Sequence, residues 1–110
     1  MPNHTFDDNS QTLAHKMTTG GLCVFDAQRT TGEMTFTLQI SLDGGVTYAD
    51  YRGADGELRQ KTVDAGSPHC RFEELGKQGD WYRVISSGAA STPSVLGSLD
   101  TAQAAHRVAA

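Results

Sequence analysis

Residues 34–42 read Met34-Thr35-Phe36-Thr37-Leu38-Gln39-Ile40-Ser41-Leu42, with a large apolar side chain at every even position and a polar one at every odd position. Strand side chains alternate faces at each step. The pattern therefore sends the apolar groups to one sheet face and leaves Thr35, Thr37, Gln39 and Ser41 on a wet one. Asp43-Gly44-Gly45 then suits a tight reversal, because glycine accepts positive φ without steric cost, and residues 46–51 return as a second strand. Upstream of this hairpin, residues 21–27 (GLCVFDA) are a β-rich run ending in a polar turn at 28–32.

Downstream, residues 53–56 form a turn and 57–63 a polar, edge-like strand. Pro68 opens the next strand, 70–75, at a position that can spare its N–H. A glycine-containing turn at 76–80 leads to residues 81–86 (WYRVIS), and together these read as a second hairpin. A loop at 87–93 precedes a final strand at 94–99. About seven or eight short strands, with turns every 8–12 residues or so, predict an all-β antiparallel sandwich or barrel.

The ends differ from this frame. Residues 1–11 are polar and read as a flexible N-terminal arm, leaving 12–99 as the β-sandwich domain. Residues 100–110 form an Ala-rich tail in which Asp100 and Gln103 have the spacing of a capping box. A helix that short is marginal in water, so the tail is expected to order only on a partner.

At 110 residues the chain has the size of one domain, and Gly 12 against Pro 3 fits many turns. A net charge of -4 argues against a partner held through nucleic-acid phosphates. Met1 to Thr19 lacks the apolar run of a secretory signal, and no stretch is long enough for a membrane helix, so synthesis in the cytoplasm is expected. Cys23 and Cys70 then read as reduced, half-buried thiols; a bridge would require neighbouring strands with suitable geometry.

Ser41-Leu42-Asp43-Gly44-Gly45-Val46-Thr47-Tyr48 matches S-x-D-x-G-x-T-aromatic and resembles the Asp box, a hairpin turn repeated in sialidase-type propellers and present singly in unrelated β-folds. Its role is local: the carboxylate and hydroxyls of Ser41, Asp43 and Thr47 satisfy turn N–H groups, Gly45 supplies the turn conformation, and Tyr48 covers the hairpin. His69 and Cys70 are adjacent and point to opposite faces, and no paired metal-ligand spacing occurs, so no metal or cofactor is expected. Glu73 and Glu74 fail as an acid–base pair for the same alternation reason. Nucleophile-elbow, zinc-protease and P-loop signatures do not occur, which reads as a non-enzyme. Trp81 and Tyr82 must face opposite ways, so one is a candidate ligand or interface contact and the other fills the core. Arg83 is a candidate contact or a cross-strand partner of Glu73 or Glu74.

The words Leu38-Gln39-Ile40-Ser41-Leu42-Asp43-Gly44-Gly45 with Thr47-Tyr48, then Gly79-Asp80-Trp81-Tyr82-Arg83-Val84 and Ser87-Gly88-Ala89, resemble small virion proteins of tailed bacteriophages over residues 34–99. That resemblance implies a β-sandwich capsid decoration or head-fibre protein in the virion, binding capsid subunits, with no catalytic residues to carry over. A homotrimer is the expected assembly. Two alternatives stay open: a carbohydrate-binding module on a fibre, with Trp81 or Tyr82 stacking on sugar, and a head–tail connector or tail component.

Overall fold

The computed structural model describes residues 3–53 and 55–102, and every regular element among them is a β-strand. The strands are β1 (Asn3–Phe6), β2 (Thr12–Lys16), β3 (Gly21–Ser41), β4 (Ala49–Asp50), β5 (Gln60–Val63), β6 (His69–Gly76) and β7 (Trp81–Ala102). All pair antiparallel in one seven-stranded sheet.

Two of these strands set the architecture. β3 and β7, 21 and 22 residues long, run against each other from Leu22–Ala102 to Ser41–Trp81, with register shifts between Arg29 and Thr35. Bulges of this kind bend and twist a ribbon, and here they fold it over. One layer is β1, the 94–102 half of β7, the 21–29 half of β3, and β6. The other is β2, the 81–87 half of β7, the 35–41 half of β3, and β5 with β4 end to end. The all-β sandwich expected from the alternation is what forms.

The core lies between the layers. Cys23, Phe25 and Ala27 fill it from the first half of β3, Met34, Phe36 and Leu38 from the second, with Phe6, Phe72, Tyr82, Val84, Val95 and Leu99. The side chains that enter this core are at odd positions in the first half and at even ones in the second, so the bulge reverses which parity faces the core. Each fully buried Phe contributes about 2–3 kcal/mol from area removed from water. The open side between β5 and β6 is closed by Arg59, whose Nε donates to Glu74, and by Lys61 over the Phe72 ring at 5.7 Å.

Several sequence-based expectations need correction. The 28–32 turn and 87–93 loop are bulged stretches within β3 and β7, polar because they lie where the ribbon bends. The second hairpin does not form. β6 pairs with β3 in one layer, and residues 77–80 carry the chain across to the other layer, where β7 begins. The strand returning from the first hairpin is only Ala49–Asp50, since the reversal occupies everything between Ile40 and Ala49. Thr37 and Ser41, expected on a wet face, are buried because β3 is flanked on both sides.

The N-terminal arm is ordered from Asn3. β1 pairs with residues 95–98, and Phe6 is fully buried with its ring centroid 5.0 Å from that of Phe36. Residues 7–11 are tied to β7: Ser86 Oγ donates to Asp8 O at 2.7 Å, Ser86 N to Gln11 O at 2.9 Å, and Ala89 N to Asn9 Oδ1 at 2.8 Å. At the other end β7 continues through Asp100 to Ala102, so Asp100 is a strand residue rather than a helix cap; the expected tail helix lies outside the described residues. Cys23 and Cys70 are free and buried, on neighbouring strands but out of register, Cys70 opposing Ala27.

Candidate functional site

The S-x-D-x-G-x-T stretch builds a loop fixed by its own side chains. Ser41, at the end of β3, donates from Oγ to Asp43 Oδ1 at 2.7 Å and accepts the Gly45 N–H at 2.9 Å. Asp43 Oδ1 accepts the N–H groups of Val46 (3.2 Å) and Thr47 (2.9 Å), and its Oδ2 accepts the Thr47 hydroxyl. These bonds, the Thr47 hydroxyl first among them, hold the Asp43 carboxyl well below the usual carboxylate range. Gly44 and Gly45 sit at φ 77° and 90°, which residues with a Cβ rarely adopt. The carboxylate is consumed in binding its own loop, through Ser41 and Thr47, and Gly45 is held through Ser41.

Gly45 also makes room for a ring. A Cβ there would lie 3.2 Å from Trp81 Cδ2, so the indole packs directly on the Gly45 backbone, while Lys16 Nζ lies 6.0 Å from the Trp81 ring centroid. One residue pair along, the Arg83 guanidinium carbon stands 4.2 Å from the Tyr48 ring centroid. Arg83 Nε donates to Gln39 Oε1 at 2.7 Å, and Gln39 Nε2 donates to Asp50 Oδ1 at 2.8 Å. Tyr48, Arg83, Gln39 and Asp50 thus form one connected row beside Trp81. Arg83 pairs here rather than with Glu73 or Glu74, because those lie on β6 in the other layer.

Tyr82 separates from this group as alternation requires. It is 1% exposed, its ring centroid lies 5.8 Å from that of Tyr51, and its hydroxyl donates to Leu75 O at 3.3 Å. Burial pushes that hydroxyl well above the usual phenol range.

Two residues of the site escaped the sequence reading. Leu42 is 91% exposed and Val46 78% exposed, both on the Asp43 loop. Leu42 was expected on the core face with Ile40, but β3 ends at Ser41 and the loop carries Leu42 outward. The motif itself holds the signal: positions 42, 44 and 46 are its unspecified x positions, and the side chains of Leu42 and Val46 are ones the loop does not use. A shallow hollow of about 240 Å³ lies beside Leu42, lined also by Ile40, Asp43, Thr47, Tyr48 and Ala49. That is below the roughly 300–1,000 Å³ typical of small-molecule pockets.

The remaining polar candidates are engaged structurally. His69 Nε2 and Arg71 Nη1 both contact Asp26, at 3.3 and 2.7 Å, while Cys70 between them is buried. Glu73 lies beside Arg71, and Glu74 accepts from Arg59. No protein-family model and no curated protein matches the chain.

Proposed function

We propose that the chain is a non-enzymatic structural subunit of a tailed-bacteriophage virion, a capsid decoration or head-fibre protein that docks on other virion proteins as a homo-oligomer. The observation that carries this reading is the pair of exposed apolar side chains, Leu42 and Val46, on a loop already rigid before any partner arrives. Association loses less entropy when the docking element is pre-ordered. Further support is the resemblance of residues 34–99 to small phage virion proteins.

The carbohydrate-binding alternative is less well supported. Sugar stacking needs an open aromatic face. Trp81 packs on Gly45, Tyr48 lies against Arg83, and Tyr82 is buried.

Mass spectrometry of purified particles tests the assignment. A decoration protein is expected in hundreds of copies per virion, and a connector or fibre in a handful or a dozen. Particles lacking the chain would overturn the reading. A glycan array with the wild type and Trp81→Ala separates out the sugar alternative, which predicts binding that the folded variant loses.

A further inference from the structure

Arg83 lies on the outer face of the layer that holds β2, opposed by Gln39 of β3 and Ala14 of β2. A charged side chain on a sheet gains most from an opposite charge across the ladder, and neither neighbour carries one. The guanidinium is held all the same. Its Nε donates to Gln39 Oε1 at 2.7 Å, and the Gln39 amide is turned that way because its Nε2 donates to Asp50 Oδ1 at 2.8 Å. The Tyr48 ring carries the guanidinium carbon at 4.2 Å from its centroid. A stacked face and one bond at Nε fix both the plane and the heading of the fork.

The far end of that fork is unspent. A guanidinium has five N–H groups, four of them on Nη1 and Nη2. Among the described residues no acceptor meets either Nη, and no carboxylate makes a salt bridge with Arg83. Neither Nη is sealed from solvent. Asp50 is the one acid among the described strand residues that face out of this layer, against Lys16 and Arg83, and its Oδ1 is already taken by Gln39. The hollow of about 240 Å³ adjoins this group, since Tyr48 both carries the guanidinium and lines the hollow with Leu42 and Ile40.

We propose that Arg83, stacked on Tyr48 and pinned by Gln39, binds a carboxylate: the side chain of a glutamate or aspartate on a protein partner, whose apolar neighbour enters the hollow beside Leu42. With Nε occupied, the carboxylate is taken end-on, one oxygen on each Nη, which is the bidentate geometry a fixed guanidinium favours. Because the side chain is already ordered, little rotamer freedom is lost when the anion arrives. A singly charged carboxylate suits the site better than a phosphate, since Asp50 in the row and Asp43 at the hollow both repel an anion, and a doubly charged one more strongly. The hollow is too small for a sugar ring system or a cofactor and has room for one side chain. Placing the acid on a protein rests on the docking reading of the Leu42 and Val46 loop; the carboxylate site itself rests on Arg83.

Nuclear magnetic resonance titration of the full chain tests this with four probes: an end-blocked glutamyl-leucine dipeptide, its glutaminyl-leucine counterpart, glucuronate and inorganic phosphate. The glutamyl dipeptide is expected to move the Arg83 Nε–H and Tyr48 ring signals to saturation, and the glutaminyl one to bind at least about tenfold more weakly. Arg83→Lys keeps the charge and loses the fork, so it is expected to raise the dissociation constant about tenfold with the circular dichroism spectrum unchanged. Gln39→Glu gives Arg83 an internal carboxylate and is expected to weaken the dipeptide as well, which serves if the lysine variant does not fold. Equal binding of the two dipeptides, or binding of neither, overturns the proposal. Glucuronate or phosphate binding more tightly than the glutamyl dipeptide gives the site to a sugar acid or a phosphate and overturns it too. The titration uses no particles, so its failure leaves the virion reading standing, and particles that lack the chain leave the carboxylate site standing.

Discussion

The ring centroids of Phe25 and Phe36 lie 5.2 Å apart, although both residues belong to β3 and eleven positions separate them. In a straight strand that separation would be about 36 Å. The contact exists because the β3–β7 ribbon folds at its bulges, so the core is built by one pair of strands meeting itself. Phe6 closes the cluster from β1, edge-on to Phe36.

The fold point depends on Gly32. It has φ 75°, and a Cβ there would lie 2.5 Å from Pro93 Cα and 2.7 Å from Ala90 O, all backbone atoms of β7. Gly32→Ala is expected to destabilise by about 2–4 kcal/mol. Gly44 has a similar φ of 77° but open space around it, so Gly44→Ala is expected to cost only about 1 kcal/mol. Urea denaturation of the two variants side by side measures the difference.

Phe6 makes the N-terminal segment part of the core. Phe6→Ala is expected to cost about 3 kcal/mol or more, since it opens a cavity between Phe25 and Phe36. Removing residues 1–11 should then unfold the chain, measured as loss of the cooperative thermal transition.

The sequence made the strands legible more readily than their partners. Alternation over residues 34–40 identifies a strand and its inward face, because period two is a local property. The bend at 28–32 looks like a turn because bulged backbone and turns favour the same polar residues. A finer signal was available in the change from odd Cys23, Phe25 and Ala27 to even Met34, Phe36 and Leu38, which one continuous strand can accommodate only through a bulge. The turn at 76–80 misled for another reason: turn chemistry reverses a chain without stating which strand it will pair with. In the site, the Ser41–Thr47 bonding was legible because it is local. The stacking of Trp81 on Gly45 was not, since it joins residues far apart in sequence.

Asp43 predicts an acid-sensitive loop. Its carboxyl is depressed in the folded chain relative to an ordinary value of 3.8, so its stabilising contribution is complete above that value. It is lost as pH falls below about 4 toward the folded-state value. Asp43→Asn should therefore be less stable than wild type at neutral pH, with the gap narrowing on acidification. The single tryptophan, Trp81, packs on the loop and reports it by fluorescence. A gap that stays constant down to strongly acidic pH would rule out this account.

The two thiols should be silent in the native protein. Burial pushes Cys23 up to about 12 and Cys70 up to about 11, so almost no thiolate exists at pH 8. Reaction with a disulfide reagent is expected to be slow in buffer and fast for both thiols in denaturant. Because both values rise on folding from an ordinary 9.0, stability should decline as pH increases above about 9. A pH series of denaturation midpoints checks the direction.

Leu42 and Val46 separate docking from folding. Both side chains are exposed, and the loop bonds run through Ser41, Asp43, Gly45 and Thr47, so Leu42→Asp and Val46→Asp should shift the unfolding free energy by no more than about 0.5 kcal/mol. On a docking surface the same changes place a charge in the buried centre of the contact, where an unpaired charge costs several kcal/mol. Added to particles that lack the chain, the double variant is expected to stay in the supernatant while the wild type co-sediments. Trp81→Ala helps locate the contact: loss of co-sedimentation with the fold intact would extend it from the loop onto the neighbouring sheet face.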